Sequence, residues 1–167
     1  MKVCIVKERN RDIVRLTRKD GTSNVIHFPK KGPFPHDLLH YLVERTLGYD
    51  NAYWGCLANG MQPDEIAVLV KTSGHASAAR AAPPNSTIVE LLTAERIVEC
   101  FEALLWSEST DFDAFLAMLY AGCIQSRIGV PHVNHYDFDR VCSAMTSHRH
   151  QWEQLPLGGQ LELQWVP

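Results

Sequence analysis

The chain has 167 residues, of which 46% are apolar and 21% charged, which suits one globular domain with its own core. No apolar run approaches the roughly 20 residues of a membrane-spanning helix, and the N-terminal stretch Met1–Glu8 has too short an apolar part for a signal peptide. The net charge of −3 hides a division: residues 1–31 carry nine Lys/Arg against three acids (+6), and the remainder carries seven against sixteen (−9).

Residues 2–8 read as a first strand and 13–18 as a second. Asp20-Gly21 signals a hairpin into a third strand at about 23–28, completing an antiparallel meander. Pro29, Pro33 and Pro35 end the sheet. A helix begins at Pro35 or His36, buries Leu38, Leu39, Leu42, Val43 and Thr46, and stops at Gly48. A short helical turn is expected over 52–58, and Ile66–Val70 is an apolar run compatible with strand or helix. Residues 71–86 are small, polar and proline-ended, and read as a flexible internal loop within a single domain spanning 1–167.

The second half is helical. Residues 87–106 place Ile88, Leu91, Leu92, Val98, Phe101 and Leu105 at helical spacing, with Glu95, Glu99 and Glu102 along another face. A second helix starts at Thr110–Asp113, and a third runs from about Asp137 to Trp152. Leu161, Leu163 and Trp165 then alternate with polar residues as a strand whose natural partner is the meander. The expected fold is α+β: a roughly four-stranded antiparallel sheet, made of the N-terminal meander and the C-terminal strand, packed against four or five helices.

Five scattered cysteines, with no Cys-x-x-Cys pair, read as reduced thiols of a cytoplasmic protein, three of them (Cys100, Cys123, Cys142) on helical faces that suit a small buried hydrophobe. The basic stretch, represented by Arg15, Arg18 and Lys19, would attract an acidic partner. The two halves could equally complement one another, or the charges could guard strand edges. No aromatic residues interleave it, which argues against a nucleic-acid face.

The stretch His36-Asp37-Leu38-Leu39-His40-Tyr41-Leu42-Val43-Glu44 carries the chemistry. Residues four apart share a helix face, so His36 and His40 could hold one divalent ion, zinc being the natural choice. Asp37 falls where a His-Glu-x-x-His hydrolase has its general base, one methylene shorter. Glu44 is about 12 Å from His36 along the axis, too far to share that ion, so a third ligand would come from His27, His75, His132 or His135. On the helical wheel His36, His40 and Glu44 lie roughly 80°, 120° and 160° from the apolar stripe, running from its border into solvent. Capping, loop hydrogen bonds or a His40–Glu44 pair would account for them without any ion. His132/His135 and His148/His150 read as solvent-facing or capping groups.

Phe28-Pro29, Gly32 to Glu44, and Tyr53-Trp54-Gly55-Cys56-Leu57-Ala58-Asn59-Gly60 together resemble a pattern in small bacterial proteins of undefined function, over about a fifth of the chain. The resemblance implies no activity. It suggests that the proline-led helix and the Tyr53-Trp54-Gly55 turn form one unit, with Trp54 as core or a lid on that helix, or else as a stacking platform.

The leading reading is a non-catalytic interaction module with a protein partner, using its basic sheet or acidic helices, with Asp37, Tyr41, Glu44 and Trp54 as further binding candidates. Homo-oligomerisation stays open. The alternative is a metal-binding protein or metal-dependent hydrolase built on His36-Asp37-x-x-His40.

Overall fold

Three antiparallel strands in succession, β1 (Lys2–Val6), β2 (Arg11–Thr17) and β3 (Ser23–Pro29), open the computed structural model, and β4 (Gln160–Gln164) joins them beside β1 in the order β3-β2-β1-β4. Residues 1–30, 32, 34–71 and 84–166 are described. The register places Val3 opposite Leu16 and Leu163, and Ile5 opposite Val14 and Leu161. Strand residues alternate between faces, so these apolar residues share the side buried against the helices. Arg15, Val25 and Glu162 share the outer, exposed side.

The β2–β3 turn is built as its residues dictate. Gly21 adopts φ 87°, a left-handed conformation that costs glycine little, and Asp20 accepts hydrogen bonds from both the backbone N–H and the hydroxyl of Thr22 at 2.9 and 2.7 Å.

Among the described residues six helices follow the meander: α1 (His36–Leu47), α2 (Tyr53–Ala58), α3 (Pro63–Val70), α4 (Val89–Ser107), α5 (Phe112–Ser126) and α6 (His135–Gln154). The ambiguous apolar run Ile66–Val70 is helical: Pro63 opens α3 and Gln62 and Glu65 cap it reciprocally, signals that lie upstream of the run itself. Asp111 and Asn134 cap α5 and α6 through their side chains. α1 ends at Gly48, at φ 75°. The predicted loop at 71–86 falls mostly on residues 72–83, outside the described residues; at its end Asn85 caps a short 3-10 turn, Ser86–Ile88, that leads into α4.

One apolar core joins the sheet to all six helices, with α1 at its centre, packed against α2, α4 and α6. α2 fits there only because residue 55 is glycine, since a Cβ would stand 1.9 Å from the Asp50 carbonyl oxygen. Among the described residues no helix is long and apolar enough to cross a membrane.

Much of the N-terminal positive charge is answered within the chain. Lys7 Nζ donates to the carbonyls of Trp152 and Leu155 at 2.8 and 2.9 Å, meeting the negative end of α6. Lys2 pairs with Glu162 and Lys30 with Asp12, at 3.2 and 3.3 Å. Arg18, expected on the basic surface, is buried instead. Its guanidinium donates to the carbonyl of Leu57, to that of Met61 (3.1 Å) and to Asn24 Oδ1 (2.8 Å), clamping the α2–α3 junction to the hairpin. Arg15 and Lys19 are exposed.

Candidate functional site

Every residue from Leu38 to Glu44 in α1 is buried. The wheel predicted a polar edge reaching solvent; the structure corrects it, since His40 is only 8% exposed and Glu44 has no exposure. A wheel assumes one packed face. α1 has neighbours on several, and the acidic row of α4 covers its histidine side.

The two helices meet through paired groups. His36 Nδ1 lies 2.7 Å from Glu102 Oε1, and His40 Nε2 lies 3.1 Å from Glu95 Oε2. The pairing ascends one helix as it descends the other, so the helices run in opposite directions along this seam. His40 Nδ1 lies 3.2 Å from Glu44 Oε1, whose second oxygen accepts the backbone N–H of Trp54 at 2.8 Å. The His36 and His40 rings meet edge to face, with centroids 4.8 Å apart.

Burial works against a charged His40 ring, but hydrogen bonds and attraction from Glu44 and Glu95 outweigh it and lift its pKa to about 10. Glu95 is opposed by burial too, yet His40, then His36 and Arg96, hold it down at about 2. Glu44 moves the other way: burial raises it despite its bonds to His40 and to the Trp54 and Tyr53 backbone. His40 therefore carries a proton between two carboxylates, with Glu95 the fuller counter-ion and Glu44 the weaker.

His36, His40 and Glu95 each offer a ligand atom, and these atoms lie within 4.8 Å of one another. Among the described residues, none of the other histidines expected as a third ligand belongs to this cluster. His27 is exposed on the outer sheet face, His132 is exposed, and His135 pairs with Asp139 at 3.1 Å; His75 lies outside the described residues. Glu95 stands beside the two histidines instead, and Glu102 was equally missed as a partner. The signal was the 95, 99, 102 acidic row on a mostly apolar helix.

A cleft of about 490 Å³ opens onto the cluster, walled by Phe28 of β3, Tyr53 of α2, Ile66 and Val70 of α3, and Leu91 and Leu92 of α4. His36, Asp37, His40, Glu44 and Glu95 line it as well. Two candidates belong to the core rather than to this cleft. Tyr41 is 6% exposed, donates to the Gln164 carbonyl at 2.9 Å and packs between Trp54 and Trp165. Trp54 is fully buried, with its indole N–H bonded to the Asp37 carbonyl at 3.1 Å, so it offers no stacking platform.

Comparison with protein-family models, curated proteins and solved structures returns no match.

Proposed function

We propose that this chain is a divalent-metal protein, with His36, His40 and Glu95 as ligands and zinc as the ion they suit. Two histidines and a carboxylate form a donor set that holds zinc while leaving a position for water or substrate. The supporting observation is the shell behind the ligands. Each imidazole has its Nδ1 held by a carboxylate, Glu102 for His36 and Glu44 for His40, which leaves Nε2 of each ring as the ligand atom. Ligand atoms about 2.0–2.1 Å from a tetrahedral ion stand about 3.3 Å apart. His40 Nε2 and Glu95 Oε2, 3.1 Å apart, already have that spacing, and all three ligand atoms lie within 4.8 Å of one another. Five free cysteines fit a reducing, cytoplasmic setting.

Binding must displace the proton of His40, so affinity rises with pH, by about tenfold per unit below the pKa of that ring. The test is metal analysis of untagged protein that has been stripped with chelator and reloaded. About one zinc per chain is expected in the wild type and none in His40→Ala or Glu95→Gln, with circular dichroism verifying the fold. A wild type that retains no zinc after reloading would end this reading.

A second reading, an interaction module for an acidic protein, draws support from the outer sheet face, where Arg11, Arg15 and Val25 are exposed. Loss of a captured partner in an Arg11→Glu, Arg15→Glu double variant would favour it; capture unaffected by that change would remove it.

A further inference from the structure

We infer that the cleft beside His36, His40 and Glu95 takes a small, uncharged, largely apolar carbonyl compound, its oxygen on the open position of the metal. This rests on the metal reading above and adds the class of ligand.

Volume and lining set the body of the ligand. About 490 Å³ falls within the roughly 300–1,000 Å³ of sites that enclose small molecules, and it is too small for a folded partner. Phe28, Ile66, Val70 and Leu91 come from three different elements and present hydrocarbon to that space. Against these walls, away from the cluster, a polar or multiply charged body would lose its hydration without replacement. An alkyl chain gains about fourfold in affinity per buried methylene.

Charge sets the head group. Asp37, Glu44 and Glu95 line the cleft, and Glu102 stands behind His36. With both histidines neutral as ligands, Glu44, Glu95 and Glu102 alone already exceed the two positive charges of the ion. A carboxylate or phosphate at the open position would add to that excess in a partly desolvated site. An ammonium group has no lone pair to give the metal. A neutral carbonyl oxygen donates a lone pair, adds no net charge, and has its carbon made electrophilic by the ion. The ligand class is therefore an amide, ester, ketone or aldehyde with an aliphatic body.

Calorimetric titration of zinc-loaded and metal-free protein with octanamide, octanoate and acetamide tests this. Octanamide should bind the zinc form at least tenfold more tightly than octanoate, at least a hundredfold more tightly than acetamide, and at least tenfold more tightly than it binds metal-free protein. Octanoate matching octanamide would overturn the charge argument, and acetamide matching it would overturn the role of the walls. Equal affinity for the two protein forms would overturn the contact with metal. Val70→Asp, at a half-buried wall position, should keep its zinc and lose octanamide affinity by about tenfold; unchanged affinity would count against the inference. A zinc-loaded protein that ignores octanamide sinks this inference alone, whereas a wild type without zinc sinks the metal reading and this inference with it.

Discussion

Arg18 and His40 are both buried cations, and they are answered in opposite ways. The hydrogen bonds of Arg18 go to neutral oxygens, the carbonyls of Leu57 and Met61 and the side chains of Asn24 and Thr22. Around His40 stand two carboxylates, with a third on the neighbouring His36. Neutral acceptors satisfy hydrogen bonds and hold a shape, and they leave the fixed charge of arginine as it is. Carboxylates in excess of the charge between them leave room for more positive charge. Arg18 is a clamp; the His40 cluster, under the function proposed above, is a receptor for a cation.

Arg18→Met should be the costliest single change, destabilising the fold by about 3 kcal/mol in urea titrations, because it removes every hydrogen bond by which the buried guanidinium ties the α2–α3 junction to the hairpin. Zinc stoichiometry should survive it, and loss of zinc would break the separation of roles. Glu44→Gln keeps an acceptor for the Trp54 N–H but removes one negative charge behind His40. Zinc affinity should fall about 10- to 100-fold in competition with a chromogenic chelator. An unchanged affinity would mean that Glu44 only holds α2 in place.

The pH dependence of the metal-free protein sharpens the comparison further. Glu95, held down at about 2, contributes stability that is complete above the ordinary value of 4.5 and is lost as pH falls through about 2. His40, lifted to about 10, contributes stability that is complete below 6.5 and is lost as pH rises through about 10. The gap in melting temperature between wild type and Glu95→Gln should therefore be widest between pH 4.5 and 6.5 and narrow on either side. A gap that is flat from pH 2 to 10 would contradict the ionic account. The smallest effect belongs to Arg15→Glu on the exposed face, within about 0.5 kcal/mol. A larger loss in urea titration would mean that this face is covered in solution.

The sheet was legible because its signals are local. Alternating residues, the Asp20-Gly21 turn and the period-two pattern around Leu161 all act within a few positions, and strand β4 had only the meander to pair with. The limits of α1 were equally plain from Pro35 and Gly48. What escaped was pairing across distance. His40 meets Glu95 from 55 positions away, and Arg18 finds Leu57 39 positions on. Nothing in the local pattern of α1 says that a second acidic helix will cover its histidines. Counting charges along the chain likewise placed Arg18 with the surface bases, although its partners are backbone carbonyls that composition does not register.

The tie between Glu44 and Trp54 gives the molecule an optical probe of its own. The indole of Trp54 is sealed from water and held at both its backbone and ring nitrogens by α1. Trp152 and Trp165 are buried elsewhere in the core, and Trp106 is 68% exposed. A cation that takes the proton from His40 alters the field that Glu44 presents directly beneath the Trp54 backbone. The emission of that one fluorophore should shift on zinc addition while an external quencher such as iodide, reaching Trp106, leaves the shift intact.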